Sequence, residues 1–340
     1  LVLVVAIIPY LGVGGMQIYQ AEVTGPSKDR LTPRITSTAK LLWGVYLLLN
    51  VILIILLKFG GMDWFDAVCH AFATISTGGF STRSMSIASF DSLYIETVIV
   101  VFMLLSGINF ALHFRALRGD LFCYFKDSEC RFYLGVWILA VAVISLNLFN
   151  HDVWSAGDSL RHSIFYATSI LTCTGFGTVD YDQWPITAKC MLLVIFFIGG
   201  CAGSTSGGIK QIRLMVLLKK MVRDVRSFLK PQAIYTVKIG RQQISSDIVF
   251  NIAVYFFIYI TTVAVGTLIM SIYTTDILSA FSAVISCLAN VGPGFSTVGP
   301  VMNYEQLPDA AKLLLIVIML AGRLEFYTLL VLLLPSFWRK

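Results

Sequence analysis

Charge is what this sequence has least of. Asp, Glu, Lys and Arg make up 13% of its 340 residues while 57% are hydrophobic, and a soluble domain carries about twice that charged fraction. Histidine is rarer still, with four. No cluster of His, Asp, Glu and Ser recurs at a spacing that would converge an acid–base or nucleophile set, which excludes an intramembrane enzyme. The seven cysteines (69, 123, 130, 173, 190, 201 and 287) form no C-x-x-C pair and have no histidine at metal spacing, so neither a zinc site nor a disulfide framework is indicated. In apolar surroundings they act as small hydrophobes. The apolar opening "LVLVVAIIPYLGVGG" lacks the basic start and small-residue cleavage site of a signal peptide. It reads instead as the cut edge of a longer chain.

What is present is long apolar runs, such as Leu41–Leu57 and the uncharged stretch Val249–Tyr273. Runs of roughly 20 residues match a bilayer core, so the chain reads as a polytopic all-α membrane protein. Its net charge of +6 is unevenly placed. Basic residues gather in alternate connections: Lys28 to Lys40, Arg115 to Arg131, Lys210 to Arg241, and the terminal Arg339 and Lys340. The positive-inside rule makes these, and the C-terminus, cytoplasmic. The other connections are acidic, with Asp63, Asp66, Asp91, Asp152, Asp180 and Asp276 among them, which concentrates cations at the outer face.

Each acidic connection also holds a helix-like segment too short to span, ending in glycine: Trp64–Thr82, Asp158–Thr178 and Asp276–Thr297. Aligned on the glycine, the cores are Ile75-Ser76-Thr77-Gly78, Thr172-Cys173-Thr174-Gly175 and Ala289-Asn290-Val291-Gly292, with Phe80, Phe176 and Phe295 following. Short apolar segments are re-entrant more often than spanning. Extended backbone after such a segment offers carbonyl oxygens that can replace a cation's hydration shell, and glycine leaves the axis unobstructed. Asn290 and Ser76 are candidates for a side-chain oxygen at the filter or for helix caps, and Thr77 and Thr174 for hydroxyls beside it. Gly107, Gly199 and Gly322 recur in the helices that follow, and Gly12 looks like the same feature once more. Fourfold closure therefore places most of a first repeat before the chain begins.

One of those following helices breaks into "GGCAGSTSGGIK" (Gly199–Lys210). Loose backbone in hydrocarbon is tolerated only where it is buried or lines a watery cavity. A P-loop reading fails, because Ile209 displaces the lysine, no Ser or Thr follows it, and no strand precedes it. A plain helix kink is the remaining alternative to a mobile barrier. Arg323 sits in an otherwise apolar run with only Glu325 as a second charge. Arginine in a membrane is costly and usually functional. Here it is a barrier to cations and a donor to the loop carbonyls, or else half of an ion pair with Glu325.

The motifs "ATISTGGFST", "LTCTGFGT", "NVGPG", "GGCAGSTSGGIK" and "GRLEFYTLLVLLLPSFWR" together make the chain resemble, from end to end, the TrkH pore subunits of the Trk/Ktr/HKT potassium-transporter superfamily. The resemblance implies a bacterial inner-membrane protein with repeated M1–pore helix–M2 units about a central pathway. Residues 1–40 would then be the end of a truncated first repeat, and 41–131, 132–241 and 242–340 the second, third and fourth. It further implies potassium as the transported ion with no other cofactor, a homodimer, and a cytosolic nucleotide-binding ring resembling TrkA, for which the Lys210–Arg241 segment is the docking candidate. The filter falls on the three glycine-aligned quartets. The gate falls on Gly199, Gly200, Gly203, Ser204, Thr205, Ser206, Gly207, Gly208 and Arg323. An ion-coupled secondary transporter is the alternative. It needs acidic residues within its spans, where only Glu325 and Glu96 are available.

Overall fold

The computed structural model describes residues 35–230, 236–240, 242–324 and 326. Most of the 1–40 segment, including Gly12, and Glu325 with its proposed pairing lie outside the described residues. The chain is mostly helical, and its described helices fall into three triplets of a long helix, a short helix and a third helix that is bent in the first triplet and broken in the second.

The first triplet is α1 (Ile35–Phe59), α2 (Trp64–Ile75) and α3 (Leu93–Ser106), with α4 (Phe110–Leu117) and the single-turn α5 (Cys123–Lys126) after it. The second is α6 (Ser128–Asn150), α7 (Ala156–Leu171) and α8 (Ile186–Phe197), continued beyond a break by α9 (Gln211–Leu229). The third is α10 (Ser246–Met270), α11 (Ile277–Ala289) and α12 (Asp309–Leu324). A two-residue hairpin, β1 (Lys238–Ile239) with β2 (Gln242–Gln243), lies between α9 and α10.

Length sorts these helices by role. Lys40–Phe59 of α1, α6 and α10 are long and apolar enough to cross a membrane, and α3 with α4 would be a fourth span bent by 102°. Their outward side chains, such as Ile55, Leu139, Leu146, Phe257 and Leu268, remain exposed, as hydrocarbon-facing residues do. By contrast α2, α7 and α11 have 12, 16 and 13 residues, or about 18–24 Å at 1.5 Å per residue against a core of about 30 Å. They are also the most buried. In α11 every residue from Ser282 to Ala289 is buried, because its Ala, Ser and Cys side chains let neighbouring backbones come close. Caps fix the helix starts: Asp127 accepts from Cys130 N at 2.8 Å, and Asn109 accepts from Ala111 N at 2.9 Å just after the bend.

Candidate functional site

The three short helices end alike. Thr77 N bonds Thr74 O (3.1 Å) and Gly78 N bonds Ala73 O (2.7 Å). Cys173 N and Thr174 N do the same to Ile170 O and Ser169 O (2.9 and 2.8 Å), and Asn290 N and Val291 N to Cys287 O and Ser286 O (3.1 and 2.9 Å). This is the Schellman closure, which needs a left-handed residue. Thr77, Cys173 and Asn290 supply it, with φ of 54°, 56° and 59°. Asparagine suits that region. A β-branched threonine does not, and left-handed backbone costs an L-residue about 1–2 kcal/mol. Such strain persists where the surroundings over-determine it, often at functional sites.

The equivalence corrects the register of the first loop by one residue. Gly79, not Gly78, matches Gly175 and Gly292: these three have positive φ (65°, 85° and 110°) two residues after the left-handed cap. Ile75 consequently belongs to α2, and its carbonyl accepts from Thr205 Oγ1 at 2.8 Å. Ser76 aligns with Thr172 and Ala289. The aromatics do not share one position either. Phe80 is exposed, whereas Phe176 stacks on His70 and Phe295 packs on Tyr181.

With their N–H groups tied back to the helix ends, the loops leave carbonyls over. Among the described residues no donor reaches the carbonyls of Thr77 and Gly78, Cys173 and Thr174, or Asn290 and Val291, two consecutive oxygens at matching places in every loop. The loops also abut one another. A Cβ on Gly79 would lie 1.9 Å from Thr174 O, and one on Gly175 2.0 Å from Val291 O. Gly79 and Gly175 thus give the next loop's carbonyl room that no other residue leaves, whereas a Cβ on Gly292 would meet nothing within 4 Å. A cavity of about 230 Å³ opens beside them, lined by Gly79, Arg83, Gly175, Phe176 and Pro293. The hydroxyls are turned elsewhere. Thr77 Oγ1 donates to Ser76 O and Thr205 O (2.7 and 3.0 Å), Thr174 Oγ1 is buried against Thr172 Oγ1 (2.7 Å), and Asn290 Nδ2 reaches Met319 O (3.3 Å) on α12. Tyr304 Oη occupies the Gly292 carbonyl at 2.7 Å.

The break between α8 and α9 lies against these loops. A parallel bridge joins Ile198 to Ile209, with Gly199 N on Ile209 O at 2.8 Å, so the segment leaves and rejoins the helix direction side by side. Its backbone is held by the bend between α3 and α4: Cys201 N donates to Gly107 O (2.8 Å), Thr205 N to Ser106 O (3.4 Å), and Phe110 N to Gly203 O (3.0 Å). Ser206 Oγ accepts from Gly200 N (2.8 Å), Ser204 Oγ donates to Cys201 O (2.6 Å), and a Cβ on Gly207 would meet Ala289 O at 2.0 Å. Gly208 has a φ of 64°, where the chain turns back toward α9. Thr205 is the hub. Its carbonyl accepts from Thr77 Oγ1 and from Arg323 Nη1, both at 3.0 Å.

Two basic residues of the Lys210–Arg241 segment stand differently from their sequence reading. Lys210 is buried and donates from Nζ to Ser206 O, so it belongs to the loop and not to the basic surface. Arg213 is buried beneath Tyr255, 4.0 Å from its ring centroid. Gln211, which sequence reasoning missed, donates from Nε2 to Gly199 O (2.8 Å). His70 bonds Asp66 O and Ser81 Oγ (2.7 and 2.9 Å), and His113 bonds Tyr124 Oη and Leu105 O (both 2.9 Å). All four contacts are internal. Ser106 and Gly107 gave one signal beforehand, the recurrence of Gly107 with Gly199.

Comparison with known proteins places this arrangement. The family model described as TrkH, cation transport protein, matches residues 1–340. The Trk system potassium uptake protein TrkH of Escherichia coli (strain K12) is 43% identical over 343 residues, covering 100% of this chain and 71% of that protein. TrkG of the same strain is 36% identical, covering 100% and 70%. The crystal structure of the potassium transporter TrkH from Vibrio parahaemolyticus superposes with a TM-score of 0.85 at 40% identity, over 99% of this chain and 69% of that one.

Proposed function

The chain belongs to the TrkH family of cation transport proteins, a family of membrane transporters, and on that premise we propose that it carries potassium or rubidium into the cell across the bacterial inner membrane. Selection is by the carbonyls of the three loops, and control is by the segment from Gly199 to Gly208 together with Arg323. The observation that carries this reading is the matched pair of undonated carbonyls in each loop. Carbonyl rings take the place of a cation's water. Arg323 adds a fixed positive charge and holds the Thr205 carbonyl below them.

A coupled transporter needs a free acid in its spans. Of the two acids read as candidates, Glu96 is committed to Arg161, which donates from Nε and Nη2 at 2.7 Å each, so it is not a free acid for a coupling ion. The homodimer and a cytosolic nucleotide-binding ring resembling TrkA are part of the same proposal. The outer half of α9 supports a protein contact, since Met221, Val225, Phe228 and Leu229 are exposed beside Arg226 and Lys230.

Isotopic rubidium flux into proteoliposomes tests the reading, with potassium and sodium as competitors. Potassium should compete, sodium should not, and no proton or sodium gradient should be needed. Flux that depends on such a gradient would overturn it in favour of the coupled cycle.

A further inference from the structure

Glu129 is the second residue of α6 and is buried. An acid in the first turn of a helix suits that helix's own dipole. That position is already served, because Asp127 caps α6 through Cys130 N. Glu129 instead turns to another element. Its Oε1 accepts from Ala202 N at 2.7 Å and from Ile212 N at 3.0 Å.

The two donors have different origins. Ile212 is the second residue of α9, whose first N–H groups have no partner within the helix. The N-cap residue there is Lys210, which provides no side-chain cap. A carboxylate at a helix N-terminus meets both the orphan donor and the positive end of the dipole. Glu129 therefore caps α9 from a separate helix. Ala202 lies ten residues earlier, within the broken segment. One oxygen thus bridges the segment to the start of α9, and the buried Lys210 ammonium is the opposite charge nearby. A buried carboxylate without donors is expensive, so the bonds hold the acid as firmly as the acid holds them.

We propose that Glu129 is the positioning residue that latches the intramembrane segment to α6. Because both bonds end on one atom, a shift of α9 that draws the carboxylate with it also draws that oxygen away from Ala202 N. A pull on α9 from the cytosolic side is thereby delivered to the segment beneath the filter loops. The effect on ion flux rests on the gate reading above, whereas the latch itself does not.

Hydrogen–deuterium exchange of the peptide covering 199–212, in the full-length protein in nanodiscs, tests the latch beside rubidium flux. Glu129→Gln keeps an oxygen of the same reach but loses the charge, and of the three variants its exchange should stay nearest the wild type. Glu129→Asp keeps the charge but falls short of two donors, and Glu129→Ala removes both. Exchange at these amides should quicken by about tenfold or more in the last two, with the α1 and α10 peptides unchanged. If Asp behaves as wild type and Gln as Ala, charge and not reach is what matters, and the latch is overturned. Unchanged exchange in Ala overturns it equally. Should Ala fail to assemble, the contrast of Gln with Asp decides alone. If exchange follows the expected order while flux stays level, the latch stands and the gate reading falls.

Discussion

Arg323 Nη1 lies 3.0 Å from the carbonyl oxygen of Thr205, a bond across 118 positions of sequence between the last described helix and the broken segment of the second triplet. The same oxygen accepts from Thr77 Oγ1. One carbonyl therefore ties the α2 loop, the broken segment and α12 together, and that junction makes the first two predictions specific.

Arg323→Ala removes the donor and the positive charge. The arginine is partly solvated, so its bond contributes on the order of 1 kcal/mol, and basal rubidium flux in proteoliposomes should rise about fivefold. Arg323→Lys keeps the charge without the fork and should fall between. Flux that drops in both variants would remove Arg323 from the barrier.

Thr205→Val leaves the carbonyl but deletes the hydroxyl that donates to Ile75 O. A lost buried hydrogen bond costs about 1 kcal/mol. The expected result is a lower melting temperature with a smaller rise in flux than for Arg323→Ala, read by thermal shift and rubidium uptake on the same preparations.

The register of the α2 loop gives a paired test. A Cβ on Gly79 would sit 1.9 Å from Thr174 O, whereas on Gly78 the nearest atom is 3.3 Å away, on Phe80. Gly79→Ala should therefore wedge the loops apart and lose discrimination between potassium and sodium. Gly78→Ala should keep most of it. Equal effects in competition assays would restore the glycine alignment read from sequence.

That correction shows what sequence could reveal and what it could not. The short helices with their glycine-bearing ends were legible because length, a terminal glycine and position between long apolar runs are all local. The register in "STGGF" was not, since two adjacent glycines satisfy the pattern equally and only the left-handed φ of Thr77 separates them. The breakage of the helix at Gly199 was visible as composition. Its fastening was legible only in part: Arg323 read as a donor to the loop carbonyls, whereas Ser106 and Gly107 come to it from distant sequence and a carbonyl acceptor carries no residue signature. Lys210 was assigned both to the loop and to the basic connection for a related reason. Its charge resembles its cytoplasmic neighbours, and only the burial of its side chain shows that it belongs inside.

The Glu96–Arg161 pair joins α3 to α7 and so sets one short helix against its neighbouring triplet. The carboxylate side chain is 7% exposed and the guanidinium 31%. Breaking such a pair on one side leaves an uncompensated buried charge, which costs about 3–5 kcal/mol, while replacing both partners by apolar groups can be nearly neutral. Arg161→Met alone should therefore lower the melting temperature of the solubilised protein sharply, and Glu96→Leu with Arg161→Met should recover most of it. The double variant also bears on mechanism. If Glu96 is only a fastening, rubidium flux in the double variant stays close to wild type and remains independent of any proton or sodium gradient. If Glu96 instead binds a coupling ion, stability returns in the double variant while transport does not, because the apolar replacement restores packing and cannot restore a carboxylate.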